Sequence, residues 1–159
     1  MIDLRKIWIT DDNMKECIAL EVIEEQRKFV ASNAMSLADA FDWNKDGESV
    51  TPYAIYADGN MVGFVMYCFV RQEYEDTYGE DCYFFWRFMM DKAHQGKGYG
   101  REALKMILDE IRQMPNGKAE HCYTSYEPAN VVAKKLYEDF GFAETGQVDD
   151  GELVARLKL

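Results

Sequence analysis

Gln95-Gly96-Lys97-Gly98-Tyr99-Gly100 decides how this chain of 159 residues is read. Before it, Cys82 to Met90 is aromatic and apolar enough for a buried strand. After it, Leu104, Ile107, Leu108 and Ile111 recur at helical spacing, with Glu102, Lys105, Asp109 and Arg112 on the opposite face. Strand, glycine-rich turn and helix, in that order, leave unpaired backbone N–H groups at a helix start. Glycines let a phosphate come close to them, and the helix dipole favours its negative charge. Lys97 and Arg101 add two cations to the same turn. Either a phosphorylated cofactor binds here or the turn is purely structural. Three alternate glycines cost backbone entropy with no packing return, which favours the ligand.

Spacing narrows the ligand. A nucleotide P-loop ends in Gly-Lys-Ser/Thr, whereas Gly98 follows Lys97. A dinucleotide fingerprint needs G-x-G-x-x-G and an acid ending the next strand about twenty residues on. Here the glycines run G-x-G-x-G, and Glu120 precedes that strand instead of ending it. A dinucleotide-binding oxidoreductase is therefore disfavoured.

Composition sets the class. With 48% hydrophobic and 14% aromatic residues, 159 residues make a single globular domain, 1–159, with a real core. The longest apolar run, Met61 to Val70, is far short of the roughly eighteen residues a membrane span needs. The N-terminus enters a strand-like pattern directly and offers no signal peptide. Cys17, Cys68, Cys82 and Cys122 are scattered without a C-x-x-C, so they read as buried thiols in a reducing compartment. His94 and His121 are too few for a zinc set. The expectation is a cytoplasmic, metal-free protein. A net charge of −11 argues against nucleic acid and suits a cationic small molecule, although acidity also serves solubility alone.

The coarse order of elements follows from turn signals. A strand covers about 2–9, and Asp11-Asp12-Asn13 cap a helix carrying Ile18, Leu20, Val22 and Ile23. A second helix starts near Ser36 with a Ser-x-x-Asp arrangement resembling a capping box. Strands at 52–57 and 61–70 flank Asp58-Gly59-Asn60, a hairpin signal. An acidic loop, 73–81, leads to the strand ending at Met90. The helix after the glycine turn runs to Pro115-Asn116-Gly117, and His121 to Tyr126 is a strand. Pro128 suits the first turn of a last helix ending at Asp139, and a final hairpin turns at Asp150-Gly151. On the last helix Val132, Ala133, Leu136, Tyr137 and Phe140 form an apolar stripe. Asn130 and Tyr137, seven residues apart, point the same way along it. Tyr137 reads equally as a core aromatic, and Asn130 as a polar group satisfying its own helix start.

The strand ending at Met90, the Gln95-x-x-Gly98-x-Gly100 turn, Asn130 and Leu136-Tyr137-x-x-Phe140-Gly141-Phe142 together resemble the GNAT superfamily of N-acetyltransferases, over nearly the whole chain. Phe29-Val30-Ala31-Ser32-Asn33, Ser36-Leu37 and Asp58-Gly59-x-x-Val62-Gly63-Phe64 look most like its bacterial spermine/spermidine acetyltransferase branch. The resemblance implies an α/β (α+β) fold whose mixed central sheet, flanked by helices, lets two parallel strands splay apart. Acetyl-CoA would sit in the opening, with its pantetheine arm on the backbone of Phe88 and Met90. Its pyrophosphate would rest on Gln95, Gly96, Lys97, Gly98, Gly100 and Arg101. Asn130 would contact the arm, and Tyr137 would face the sulfur. Members of the family often form dimers, so a homodimer is implied as well.

The implied chemistry is direct attack of an amine on the thioester, with a donor for the departing thiolate, a role that fits the Tyr137 phenol. The amine is the harder side. A primary ammonium with a pKa of about 10.4 is neutral only about one part in a thousand near pH 7.4, a cost of about 4 kcal/mol. Relatives in the polyamine branch often carry an acid two residues before the Phe88 position. This chain has Trp86 there, so the proton acceptor is left unassigned. Two acidic clusters are candidates for a polycation: Glu21, Glu24 and Glu25 on one helical face, and Glu73, Glu75 and Asp76 in the loop with Glu80 and Asp81. Both also read as solvated surface. An aminoglycoside, a monoamine or a protein amine remains open as substrate, as does an acyl-CoA-binding protein without catalysis.

Overall fold

Two aspartate–glycine pairs set the hairpins of this protein. The computed structural model describes residues 1–8, 11–45 and 49–159. At Asp58-Gly59 both residues take positive φ (49° and 86°), and so do Asp150-Gly151 (46° and 86°), the backbone twist that two-residue hairpins require. The first pair joins β2 (Ser49–Ala57) to β3 (Asn60–Val70), and the second joins β6 (Ala143–Asp149) to β7 (Glu152–Lys158). With β1 (Ile2–Lys6), β4 (Cys82–Met90) and β5 (His121–Tyr126) they form one seven-stranded sheet in the order β1-β2-β3-β4-β5-β7-β6. Its pairs are antiparallel except β4 with β5, so the sheet is mixed, as expected.

β3 is buried on both faces because helices cover both. On one side lies α3 (Tyr99–Ile111), whose Leu104, Ile107, Leu108 and Ile111 are fully buried. Each such side chain contributes about 1.5–3 kcal/mol of burial. Beside it α4 (Val131–Asp139) buries only Tyr137. The apolar stripe expected there is thus incomplete, since Val132 is two-thirds exposed. On the other side α1 (Asp12–Ile18) and α2 (Asn33–Lys45) bring Cys17, Leu37 and Ala40 against Ala54, Phe64 and Met66. All four cysteines are buried, and burial pushes Cys17 and Cys82 up to about 12.

Several boundaries differ from the sequence expectation, each for a local reason. The first strand ends at Lys6, and Ile9 lies outside the described residues. α1 stops at Ile18, so Leu20, Val22 and Ile23 are not helical. The backbone of Glu21 is claimed elsewhere: its N–H donates to Asp91 Oδ2 (3.0 Å), and its carbonyl accepts from Lys92 N–H (2.7 Å). A 3₁₀ helix covers Glu24–Phe29. α2 begins at Asn33, not near Ser36, because Ser32 Oγ accepts from the Met35 N–H at 3.2 Å. Helix α3 ends at Ile111, before Pro115, as the chain turns to a positive φ at Met114. Pro128 precedes α4 instead of lying in its first turn, because Asn130 caps the helix, accepting from the Ala133 N–H at 3.2 Å.

One irregularity positions the site. Tyr67 opposes Phe85 and its neighbour Met66 opposes Arg87, so Trp86 is an extra residue, a β-bulge in β4. β4 pairs with β5 only from Tyr83 to Phe85. Beyond the bulge the two strands part, as the resemblance implies. Among the described residues no helix is long and apolar enough to cross a membrane, and no three His, Cys, Asp or Glu side chains could hold a metal.

Candidate active site

The parting of β4 and β5 opens a cleft of about 520 Å³. One wall is the end of β4 with Trp86, Phe88 and Met90, and the floor carries Ser125 and Tyr126 of β5. Asn130, Ala133 and Tyr137 come from α4 and its cap, Gly96 and Gly100 from the glycine turn, and Val30 and Ala31 from the segment before α2. Past Phe85 the edge of β4 facing β5 carries no paired strand, so its backbone is open to an extended ligand.

The glycine turn is built for an anion. Gly96 and Gly98 hold φ of +74° and +82°, and nothing lies within 4 Å of where a Cβ would stand on either. The first helical hydrogen bond is Glu102 N–H to Gly98 O at 3.2 Å. Among the described residues no backbone N–H from Gly96 to Arg101 donates to the protein, so these donors gather unpaired at the α3 start. At Gly100 a Cβ would come into van der Waals contact with Phe88 Cζ and Met90 Cγ, both at 3.4 Å. Gln95 anchors the turn, with its side-chain amide donating to Met90 O (2.9 Å) and Gln26 Oε1 (2.7 Å). Lys97 lies back on Ala93 O (3.1 Å), and Arg101 pairs with Asp139, so both cations must swing to meet a phosphate.

Tyr137 stacks against Tyr126 at 5.8 Å and meets Phe85 and Phe142 edge-on. Burial pushes its phenol above the ordinary tyrosine range, against the pull of a hydrogen bond with Thr124. It therefore stays protonated at neutral pH and keeps a proton to give. This side chain is both a core aromatic and a cleft-lining donor.

The model for the acetyltransferase (GNAT) family matches residues 16–142. The chain is a GNAT acetyltransferase. It is 33% identical over 147 residues to a probable spermine N(1)-acetyltransferase of Bacillus subtilis subsp. natto, covering 92% of each chain. It is 32% identical, with the same coverage, to a spermine/spermidine N(1)-acetyltransferase of Bacillus subtilis strain 168. Its fold superposes on the PaiA N-acetyltransferase of Thermoplasma acidophilum, solved with coenzyme A, at a TM-score of 0.71 and 14% identity, covering 100% and 99% of the two chains. This acetyltransferase uses acetyl-CoA as co-substrate, and the free N–H groups between Gly96 and Arg101 fit its phosphates.

The acidic residues singled out in the sequence are not among those that line the cleft, although Val22 and Gln26 beside Glu21, Glu24 and Glu25 are. Glu73, Glu75 and Asp76 precede β4, at the end of that strand opposite the glycine turn. Glu73 and Asp76 face a second depression with Arg71 and Lys118, and Glu75 accepts hydrogen bonds from Thr77. Glu21, Glu24 and Glu25 do not share a helical face. Glu21 is held by Lys92 at 2.5 Å, a bond that keeps its carboxyl below the usual range. Glu24 pairs with Arg27 at 3.1 Å, and Glu25 is exposed. Instead, the carboxylates of the acetyltransferase cleft are Glu127 and Glu152. Neither was singled out in the sequence. Glu152 directly follows the Asp150-Gly151 turn, so its strand was legible, but the pairing of β7 with β5 that carries it into the cleft was not.

Proposed function

We propose that this acetyltransferase moves the acetyl group of acetyl-CoA to a primary amine of a polyamine such as spermidine or spermine, by direct attack. The observation that carries the reading is the cleft itself: two carboxylates, Glu127 and Glu152, line it together with Trp86, in a chain of net charge −11. Two cations, Lys28 and Arg87, line the cleft as well, and Asp39 lies 3.9 Å from the Arg87 guanidinium. The names of the two Bacillus relatives support the same substrate class.

Acetyl-CoA supplies an activated acetyl thioester. Within this reading the open edge of β4 at Phe88 and Met90 holds the pantetheine arm as an added strand would, with Asn130 beside it. The N–H groups of Gly96, Gly98 and Gly100 take the pyrophosphate, joined by Lys97 and Arg101 once they leave their present partners. Tyr137 gives its proton to the departing sulfur.

The test is catalytic efficiency across mono-, di-, tri- and tetra-amines. It should rise with each added ammonium, and the preference should fade as the Debye length falls from about 10 Å at 0.1 M salt to about 3 Å at 1 M. Equal efficiency on propylamine and spermine at low salt would remove the polyamine assignment and leave the acetyltransferase in place.

A further inference from the structure

An acetyltransferase must take a proton from its ammonium substrate, and the bulge of β4 offers Trp86 where a carboxylate would be convenient. The nearest replacement comes from another strand. In the β5–β7 register Ser125 opposes Val154, so Glu152, two residues before Val154, shares the face of Ser125. The Ser125 hydroxyl donates to the Glu152 carboxylate and fixes its direction.

That face is decisive. Val154 and Tyr123 belong to the core on the α1/α2 side of the sheet, whereas Tyr126 and Tyr137 belong to the core on the α3/α4 side. Glu152 and Tyr137 therefore reach the gap between β4 and β5 from opposite faces. A nitrogen adds to one face of a thioester carbonyl, and in the tetrahedral intermediate the departing sulfur stands well apart from it, so nitrogen and sulfur can each meet a separate proton-transfer group. Glu127, the other carboxylate of the cleft, is exposed in the turn before α4 and has no such anchor.

We propose that Glu152 accepts the proton of the substrate ammonium, directly or through one water. This rests on the amine-acetylating reading above. The N–H bond breaks towards a Glu152 oxygen, and the freed nitrogen pair bonds to the acetyl carbon. The carbon–sulfur bond breaks with its electrons on sulfur, which takes the Tyr137 proton. The second surplus proton on nitrogen restores the Tyr137 phenol, so one net proton per turnover leaves through Glu152 to water. The charged and titratable groups that line the cleft with Glu152 are Arg87 from β4, paired with Asp39 of α2, Glu127, Lys28 of the 3₁₀ helix, Tyr126 of β5 and Tyr137.

The experiment compares Glu152→Gln with the parent on two amines: spermidine, protonated at neutral pH, and trifluoroethylamine, which is already neutral. The efficiency ratio of parent to variant should be roughly 10²–10⁴ on spermidine and close to one on trifluoroethylamine. On spermidine the rate of the variant should keep climbing with pH where the parent levels off, while coenzyme A affinity and Tm stay put. Ser125→Ala keeps the carboxylate but releases it, and should give a smaller loss with the same selectivity for the protonated amine. Should Glu152→Gln lower Tm, that selectivity in Ser125→Ala decides. An equal loss on both amines, or none on either, overturns the role of Glu152 while acetyl transfer stands. A parent that acetylates no amine overturns the amine reading, and this role falls with it.

Discussion

Tyr137 is where packing and the proposed chemistry meet in one side chain. Its ring fills a site among Phe85, Tyr126 and Phe142, and its hydroxyl is held in a dry environment beside Thr124. Dryness acts in two directions. It raises the phenol's pKa, which weakens it as an acid, but it raises the proton affinity of a thiolate there as well, so transfer between the two is not penalised. Tyr137→Phe keeps the ring and removes the proton. Turnover with any amine should fall roughly 10²–10⁴-fold, with Tm and coenzyme A affinity almost unchanged. Because the shift is upward, the phenol stays protonated to beyond its ordinary value of about 10. The parent's kcat should therefore show no loss of this donor between about pH 7 and 10, and a fall there would assign the proton to another group. Unchanged turnover in Tyr137→Phe, with chemistry rate-limiting, returns the residue to packing alone.

At the scale of elements, the site depends on two departures from regular structure. The bulge at Trp86 ends the β4–β5 ladder after Phe85 and creates the open edge. The left-handed glycines Gly96 and Gly98 turn the chain so that α3 starts with its N–H groups facing that opening. Gly98→Val adds a β-branched side chain at φ +82°, a conformation that costs such a residue about 1–2 kcal/mol or more, and it puts bulk in the proposed pyrophosphate site. Coenzyme A binding should weaken about 10- to 100-fold, the loss of one or two charged hydrogen bonds, and Tm should drop by a few degrees. Calorimetric titration measures the first and thermal melting the second. Parental affinity in this variant would place the pyrophosphate elsewhere.

Over the whole molecule, charge is unevenly useful. The 29 acidic residues outnumber the 18 basic ones, yet many carboxylates already have partners: Glu21 with Lys92, Glu24 with Arg27, Asp139 with Arg101. The acidic loop before β4 lies at the far end of that strand from the glycine turn. Its effect on a substrate in the cleft is confined to long-range attraction, which salt screens. Replacing Glu73, Glu75 and Asp76 together by amides should therefore change KM for spermine less than about twofold at 0.15 M salt, where the Debye length is about 8 Å. A large rise in KM for spermine, absent for a monoamine, would show that the loop takes part in recognition after all.

The sequence by itself determined the elements and the glycine turn, because those depend on local chemistry. Cys82–Met90 and His121–Tyr126 were legible as strands from their apolar runs, both hairpins from their Asp-Gly turns, and the tight turn at the α3 start from alternate glycines ahead of an amphipathic helix. Helix limits were less legible where tertiary hydrogen bonds compete with helical ones, as at Glu21, whose backbone serves the 91–92 turn. Only the tertiary structure decided which acids line the cleft. A row of carboxylates looks the same in sequence whether it lines a cleft or faces solvent. Glu152 looks like any strand residue until β7 pairs with β5 across about thirty residues of chain and sets it beside Ser125. Strand order and register arise from long-range packing, and they alone carry a side chain into a site built by other segments.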